Sequence, residues 1–119
     1  YKRQDIDRMD QVLTNLIDNA SRYTQSGDTI SVTTETDSEY NILYISDTGT
    51  GIAPEHLQQV FDRFYKVDAA RKRGKQGTGL GLFICKMIIE EHGGSIEVES
   101  ELGRGTTFII KLPKPKLEN

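Results

Sequence analysis

The sequence lacks three features, and each absence narrows the range of possible functions. Cys85 is the single cysteine among 119 residues, which excludes an internal disulfide framework and fits a reducing compartment. No apolar run approaches about 18 residues and no signal peptide is recognisable, so we predict no direct membrane contact. The formal net charge is -3, whereas nucleic-acid-binding domains usually have a basic excess. We therefore expect no nucleic-acid partner.

The length and composition predict one soluble domain with its own core. Charged residues make up 28% of the chain and hydrophobic residues 35%, an ordinary globular balance. We expect residues 1–114 to form the domain and residues 115–119 to form a frayed tail. The opening residues, "YKRQDIDRMDQ", do not resemble a natural initiation site, so we expect a piece of a larger protein.

Hydrophobic periodicity predicts the elements of the first half of the chain. β-Branched and aromatic residues predict strands at 29–36 and 41–46, joined by the turn "DSE". Pro54 is expected to begin a helix that continues to residue 64. Before these elements, residues 5–23 are expected to form a helix with one apolar stripe, made of Leu13, Leu16, Ile17 and Ala20.

The second half begins with a charged, glycine-containing segment at 62–79, which predicts a mobile loop. Two alternating strands, "SIEVES" and "TTFIIKLP", close the domain around the turn "ELGRG". Between the loop and these strands we predict a helix that stops at Gly93-Gly94, with one face made of Leu80, Phe83, Ile84, Met87 and Ile88. This order predicts an α/β two-layer sandwich, in which helices pack on one face of a mixed, mostly antiparallel sheet.

The stretch "GKQGTGLGLF" (74–83) resembles a phosphate-binding loop that opens into a helix. It is not a Walker A loop, because Leu82 and Phe83 follow Gly81 in place of lysine and a hydroxyl residue. It does not have the dinucleotide-binding or protein-kinase glycine spacing either, because that spacing requires a third glycine at position 82. The alternative interpretation is a loop whose glycines serve chain reversal only.

Two patterns of polar residues favour nucleotide binding. Asn15 and Asn19 lie four residues apart on one face of the first helix, and amide oxygens are suitable ligands for Mg²⁺. Arg22 could meet a phosphate and Tyr23 offers an aromatic face to a base. Asp47 follows a strand and can accept a hydrogen bond from an adenine amino group, while repelling the guanine carbonyl. The alternatives are a solvated helix face for the asparagines and a plain turn at Asp47.

Five motifs in order resemble those of the catalytic, ATP-binding domain of bacterial sensor histidine kinases, whose superfamily (the Bergerat ATP-binding fold) includes DNA gyrase and a heat-shock chaperone. The motifs are "NLIDNASRY", "DTGTG", "FDRFY", "GTGLGL" and "GRGT". The resemblance covers nearly the whole chain.

The resemblance implies a role for each matching residue. Asn19 ligates Mg²⁺ and Asn15 assists it, Arg22 touches phosphates, and Arg63 reaches the terminal phosphate. The adenine pocket is formed by Tyr23, Asp47, Gly49, Gly51 and Ile52, and Thr106 is counted with them among the nucleotide-binding residues. The phosphate-side loop is formed by Gly77, Thr78, Gly79, Leu80 and Gly81. A lid over the nucleotide, about 62–76, is anchored by Phe61 and Phe64. Gly103 and Gly105, with Thr106, form a turn behind the adenine pocket and are expected to have mainly structural roles.

The charges of residues 62–76 favour a ligand role over a plain solvated loop. Six basic side chains stand against two acidic ones, which gives +4 in a chain of net charge -3. A basic loop on an acidic body suits a triphosphate or an acidic partner surface.

The activity that the resemblance implies is transfer of the γ-phosphoryl group of Mg-ATP to a histidine on a separate dimerisation domain, for relay to a response regulator aspartate. ADP is the product, and the parent is a homodimer anchored in the bacterial membrane with this part in the cytoplasm. Asn15 stands where hydrolytic relatives have a glutamate, so ATP hydrolysis should be slow. The alternative is a nucleotide-binding regulatory module without phosphotransfer. We expect His56 and His92 to be structural or surface residues, and Cys85 to be a small buried side chain or, alternatively, a redox-sensing thiol.

Overall fold

The computed structural model of the chain describes residues 3–22, 24–57, 59–62 and 81–114. Three helices and four strands lie in this part of the chain. In chain order they are α1 (Arg3–Arg22), β1 (Ile30–Thr36), β2 (Tyr40–Asp47), α2 (Pro54–Leu57), α3 (Gly81–Glu91), β3 (Ser95–Glu101) and β4 (Gly105–Pro113). Their order confirms the order predicted from the sequence.

The four strands form one sheet in the order β1-β2-β4-β3. Each neighbouring pair is antiparallel. The β1–β2 hairpin closes at the predicted turn, where the Asp37 carboxylate accepts hydrogen bonds from the backbone N–H groups of Glu39 and Tyr40, at 2.8 and 2.7 Å. An Asp at this place satisfies two backbone donors that the reversal of the chain would otherwise leave unpaired.

The core lies between the sheet and the helices α1 and α3, which both pack on one face of the sheet. Alternate residues of the strands point to this face, because side chains alternate along a strand. The buried members are Val12 and Leu16 of α1, Cys85, Ile88 and Ile89 of α3, and Ile45, Ile96, Phe108 and Ile110 of the sheet. The two-layer α/β sandwich predicted from the sequence is therefore confirmed, and the described strand pairs are antiparallel.

The predicted faces of the two long helices are wrong in part. Ile17 is 42% exposed and Met87 is 43% exposed, although both were expected on buried stripes. On α1 the buried line is Val12, Leu16 and Ala20, at a spacing of four residues, and Ile17 flanks it. On α3 the buried side is formed by Cys85, Ile88 and Ile89. α3 is apolar on most sides, so its periodicity did not determine which side meets the sheet, whereas on α1 Ile17 lies at the margin of one broad apolar stripe.

The helix predicted from Pro54 to residue 64 is shorter than expected. It ends at Leu57, and residues 59–62 form a turn in which the Asp62 N–H donates to the Gln59 carbonyl at 2.9 Å. Val60 is buried and Phe61 packs against Phe108, so the chain turns to place both side chains against the core. Here tertiary packing overrides local helix propensity.

Two of the predicted segments lie largely outside the described residues. These are the loop predicted at 62–79, apart from Asp62, and the tail at 115–119. The domain boundary at residue 114 stays a prediction. None of the helices in the described residues is long and apolar enough to cross a membrane.

Candidate functional site

A row of three polar side chains crosses the sheet on its helix-facing side. Asp47 at the end of β2 pairs with Thr106 on β4, and Thr106 pairs with Ser100 on β3. Directly paired residues in an antiparallel sheet have neighbouring side chains on the same face. Asp47 is only 7% exposed and Thr106 only 4% exposed. The row therefore continues the apolar core into a buried polar edge.

The Asp47 carboxylate is held by backbone donors in this edge. Its Oδ1 accepts a hydrogen bond from the Gly49 N–H at 2.9 Å. Burial raises the pKa of Asp47, with a smaller push from the nearby Asp28 charge, while hydrogen bonds from the backbone of Gly49 and Thr106 oppose the rise. The result is a buried acceptor, positioned by its loop, that can receive further donors from a ligand.

The hydroxyl of Ser100 connects the loop after β2 to the start of β4. Its Oγ accepts from the Ile52 N–H at 2.7 Å, donates to the Gly105 carbonyl at 2.9 Å, and lies 2.8 Å from Thr106 Oγ1. Ser100 was not among the residues singled out in the sequence. Its signal was present in "SIEVES", where a serine stands at the position that the alternation assigns to the buried side.

Two glycines let the first and last glycine motifs approach each other closely. Gly51 has φ +75° and Gly105 has φ +119°. A Cβ on Gly51 would overlap the Glu101 carbonyl, and a Cβ on Gly105 would overlap the Asp47 carbonyl. Side chains are therefore excluded at both positions by the neighbouring backbone as well as by conformation.

The asparagines of α1 are half-buried beside the buried line of that helix. The Cys85 thiol, close to Asn15, donates a hydrogen bond to the Val12 carbonyl at 3.6 Å. In the last turn, Arg22 forms an ion pair with Asp18 at 3.0 Å.

Phe61 and Gly81 lie on either side of the segment predicted to be the lid. The Phe61 ring packs edge-on against Phe108, with centroids 6.2 Å apart, and the Lys86 ammonium lies 5.7 Å from the Phe61 centroid. Gly81 is the first residue of α3. The other residues of the predicted site lie outside the described part of the chain: Tyr23, Arg63, Phe64, Gly77, Thr78, Gly79 and Leu80.

The histidines and the cysteine have local partners. His92 Nδ1 lies 2.7 Å from the Ile88 carbonyl at the end of α3. His56 lies 3.9 Å from its neighbour Glu55. Cys85 is fully buried, as the first of its two interpretations predicted, and burial raises the pKa of its thiol to about 11. A neutral buried thiol is a weak nucleophile, so the fold gives Cys85 a packing role.

Comparison with known proteins finds the same type of domain. The family described as "Histidine kinase-, DNA gyrase B-, and HSP90-like ATPase" matches residues 4–116. Among curated proteins, the chain is 82% identical over 112 residues to the sensor protein SrrB of Staphylococcus aureus strain NCTC 8325. This match covers 94% of the chain and 19% of the relative. The chain thus spans about a fifth of the length of that relative.

Solved structures share the architecture. The mycobacterial sensor histidine kinase MprB superposes with a TM-score of 0.80 at 32% identity, covering 90% of this chain and 72% of that one. The catalytic domain of histidine kinase ThkA has a TM-score of 0.76 at 35% identity, with coverages of 91% and 68%. Full-length ShkA in complex with AMPPNP has a TM-score of 0.77 at 31% identity, with coverages of 89% and 21%. The chain therefore belongs to the histidine kinase-, DNA gyrase B-, and HSP90-like ATPase family, as an ATP-binding domain of the sensor histidine kinase type.

Proposed function

We propose that this domain binds Mg-ATP and transfers its γ-phosphoryl group to a histidine on a separate dimerisation domain, from which the group passes to an aspartate of a response regulator. The observation that carries the proposal is the buried Asp47 carboxylate, which is held by backbone donors at the end of β2 and paired across the sheet with Thr106. The catalytic domain of ThkA, which is similar over 91% of this chain, supports the proposal.

Base recognition at Asp47 follows from charge and hydrogen-bonding capacity. An ionised carboxylate only accepts hydrogen bonds, and the adenine 6-amino group donates them. The guanine carbonyl at the same place would face the carboxylate acceptor to acceptor, with both groups desolvated. We infer that Gly49, Gly51 and Ile52 shape the pocket around this contact. The relative ShkA, solved in complex with AMPPNP, supports an adenine nucleotide as the ligand.

The residues of α1 fit a magnesium ion that arrives with the nucleotide. Mg²⁺ prefers oxygen ligands, keeps several waters and is shared with nucleotide phosphates, so one or two amide oxygens suffice. Asn15 and Asn19 are both half-buried on α1, four residues apart. Bound there, the ion would neutralise charge on the phosphates. Asn19 would be the main ligand, with Asn15 assisting.

The protein side chains would then contribute positioning and charge rather than proton abstraction. Phosphoryl transfer depends mainly on alignment and on neutralising charge at the transferred group. Arg22 would exchange its ion pair with Asp18 for a phosphate contact, and Arg63 would reach the terminal phosphate. Asn15 is an amide and cannot accept the proton of an attacking water, so hydrolysis in place of transfer should be slow. ADP would be the product.

The similarity to sensor histidine kinases also supports a proposal about the parent protein. The relative SrrB is named as a sensor protein, and the chain covers 19% of it. We propose that the parent is a homodimer that supplies the acceptor histidine from its own dimerisation domain. This domain would act in the cytoplasm, and the parent would be anchored in the cell membrane.

Phosphotransfer is tested by mixing this domain with radiolabelled ATP, Mg²⁺ and the separately produced dimerisation domain of the parent. We expect label on the acceptor, and no label on an acceptor whose histidine is replaced by alanine. Tight ATP binding without label on the intact acceptor would contradict the kinase function and favour a regulatory nucleotide-binding module.

The magnesium role is tested with Asn19→Ala, compared with Thr14→Ala on the exposed side of the same helix. Calorimetric titration of ATP with and without Mg²⁺ should show strong magnesium dependence in the unaltered chain and in the Thr14 variant. The dependence should be lost in the Asn19 variant, because one ligand of the ion is missing. An Asn19 variant with unchanged magnesium dependence would remove the metal role from this residue.

A further inference from the structure

Ser100 makes three hydrogen bonds at the polar edge of the sheet, and their directions can be deduced. The partners are the Ile52 N–H at 2.7 Å, the Gly105 carbonyl at 2.9 Å and the Thr106 hydroxyl at 2.8 Å. An amide N–H can only donate and a carbonyl can only accept, whereas a serine hydroxyl has one proton and two lone pairs. The single Ser100 proton must therefore be directed to Gly105.

The direction of the remaining bond follows from this proton count. The Ser100 oxygen has already accepted the Ile52 N–H and has no second proton to offer to Thr106. The 2.8 Å contact is therefore a hydrogen bond from Thr106 Oγ1–H to Ser100 Oγ. As a result, Thr106 Oγ1 presents only lone pairs to any other group that meets it.

This constraint acts beside the buried carboxylate. Thr106 is paired directly with Asp47, and both side chains are on the helix-facing side of the sheet. Paired side chains of this kind have Cβ atoms about 4.5–5.5 Å apart. Two neighbouring acceptors at this spacing suit a ligand group with two N–H donors, such as an exocyclic amino group. A carbonyl at the same place would meet two acceptors.

We propose that Ser100 is a positioning residue that determines base specificity, because it holds the Thr106 hydroxyl as an acceptor and so makes the site select a 6-amino over a 6-oxo purine. This inference rests on the proposed binding of an adenine nucleotide at Asp47. It assigns discrimination to a residue that need not touch the base itself, since it acts through the proton of Thr106.

A matched control lies on the opposite face of the same sheet. The hydroxyls of Ser46 and Thr107 are 2.9 Å apart, on the strands β2 and β4 that also carry Asp47 and Thr106. Ser46→Ala removes a serine–threonine hydrogen bond of nearly the same length, one residue from Asp47 in sequence, on the side facing away from the row. It should not change the preference between purines.

The test is calorimetric titration of the whole chain with ATP and with inosine triphosphate, whose purine carries a 6-oxo group. In Ser100→Ala the Thr106 hydroxyl is free to rotate and to donate to the 6-oxo group. The affinity ratio of ATP to inosine triphosphate should fall about fivefold, the value of one ordinary hydrogen bond. Loss of the hydrogen bond from the Ile52 N–H should weaken the binding of both nucleotides equally, so it should not change this ratio. Ser46→Ala should keep the ratio of the unaltered chain.

The outcomes separate this inference from the proposed function. If the unaltered chain prefers ATP and Ser100→Ala weakens both nucleotides by the same factor, Ser100 has only a structural role and the inference is wrong. If the unaltered chain binds neither nucleotide, the proposed function itself fails, and the inference with it. Should Ser100→Ala not fold, Ser100→Cys keeps the approximate shape with a much weaker hydrogen-bonding group, and the same fall in the ratio is expected.

Discussion

At each end of strand β2 an aspartate carboxylate accepts hydrogen bonds from backbone N–H groups, but one carboxylate is exposed and the other is buried. Asp37, before the strand, accepts hydrogen bonds from the N–H groups of Glu39 and Tyr40 and is exposed to solvent. Asp47, at the end of the strand, accepts a hydrogen bond from the Gly49 N–H and is buried. Hydrogen bonds to the backbone lower the pKa of Asp37, whereas burial raises the pKa of Asp47 despite similar hydrogen bonds. Exposure therefore decides the sign of the shift.

This difference in pKa means that the charge of Asp37 stabilises the fold, whereas the charge of Asp47 destabilises it. The ionised form of Asp37 is favoured by its turn, so its charge contributes to folding. The ionised form of Asp47 is disfavoured by desolvation, which would select against a carboxylate if stability alone mattered. A buried charge with a raised pKa at the end of a strand is typical of a binding site.

The largest effect on stability is expected from Gly105→Ala, which disrupts the packing at the end of β2 that carries Asp47. A Cβ there would overlap the Asp47 carbonyl, and φ of +119° is unfavourable for alanine. Gly103→Ala, in the same turn at φ +82° with no atom near its Cβ, carries the conformational cost alone. Urea unfolding should show a loss of about 3 kcal/mol or more for the Gly105 variant and about 1 kcal/mol for the Gly103 variant. Equal losses would show that the contact with Asp47 is unimportant.

The next effect concerns nucleotide affinity. Asp47→Asn replaces a charged acceptor by an amide and should weaken ATP binding about 10- to 100-fold, the range for a hydrogen bond to a charged group. Asp37→Asn makes the same change at the far end of β2 and should leave the dissociation constant unchanged. Calorimetry on both variants measures the comparison. An Asp47 variant that binds ATP as well as the unaltered chain would place the base elsewhere.

The smallest effect is a pH dependence of opposite sign in the same two variants. The folded-state pKa of Asp47 is raised, so its contribution to stability falls as pH rises from the unfolded value near 3.8 through the folded value. The folded-state pKa of Asp37 is lowered, so its contribution is present above the unfolded pKa and is lost as pH falls through the folded pKa. At pH 7 without nucleotide, Asp47→Asn should therefore be more stable than the unaltered chain and Asp37→Asn less stable.

Both differences should shrink in acid, where the carboxyl groups of the unaltered chain become protonated. Urea unfolding at pH 7 and at pH 3 checks the signs. If Asp47→Asn is destabilising at pH 7, the hydrogen bonds from Gly49 and Thr106 outweigh desolvation, and the contrast between the two ends of β2 is lost.

Much of the site around Asp47 could be predicted from the sequence, because the residues that indicate it are adjacent in the chain. A strand followed by "DTGTG" is enough to expect an aspartate at a strand end beside glycines. The role of Ser100 could not be predicted in this way, because it depends on the register that places β3 beside β4. The close contact of Gly105 with Asp47 has the same origin, since β2 and β4 are far apart in the chain. Long-range register carries the information that local patterns lack.

For the two long helices, the sequence predicted the elements themselves better than the faces that they bury. Their existence was predicted correctly, because an apolar periodicity over many residues is a strong signal. Their orientation was predicted less well, since Ile17 and Met87 are exposed while Val12 and Ile89, which were not on the predicted stripes, are buried. An apolar helix with several possible faces, such as α3, is oriented by the shape of the surface it packs on, which the sequence of the helix does not contain.

The burial of Cys85 has a practical consequence for measuring the dynamics of this domain. The chain has one thiol, and it is fully enclosed between α1 and α3 with a pKa of about 11. A maleimide or disulfide reagent reacts with accessible thiolates, so labelling of Cys85 at neutral pH requires the two helices to separate. The labelling rate thus reports opening of the helical layer. A second cysteine introduced at an exposed site could then be modified selectively, without first removing the natural one.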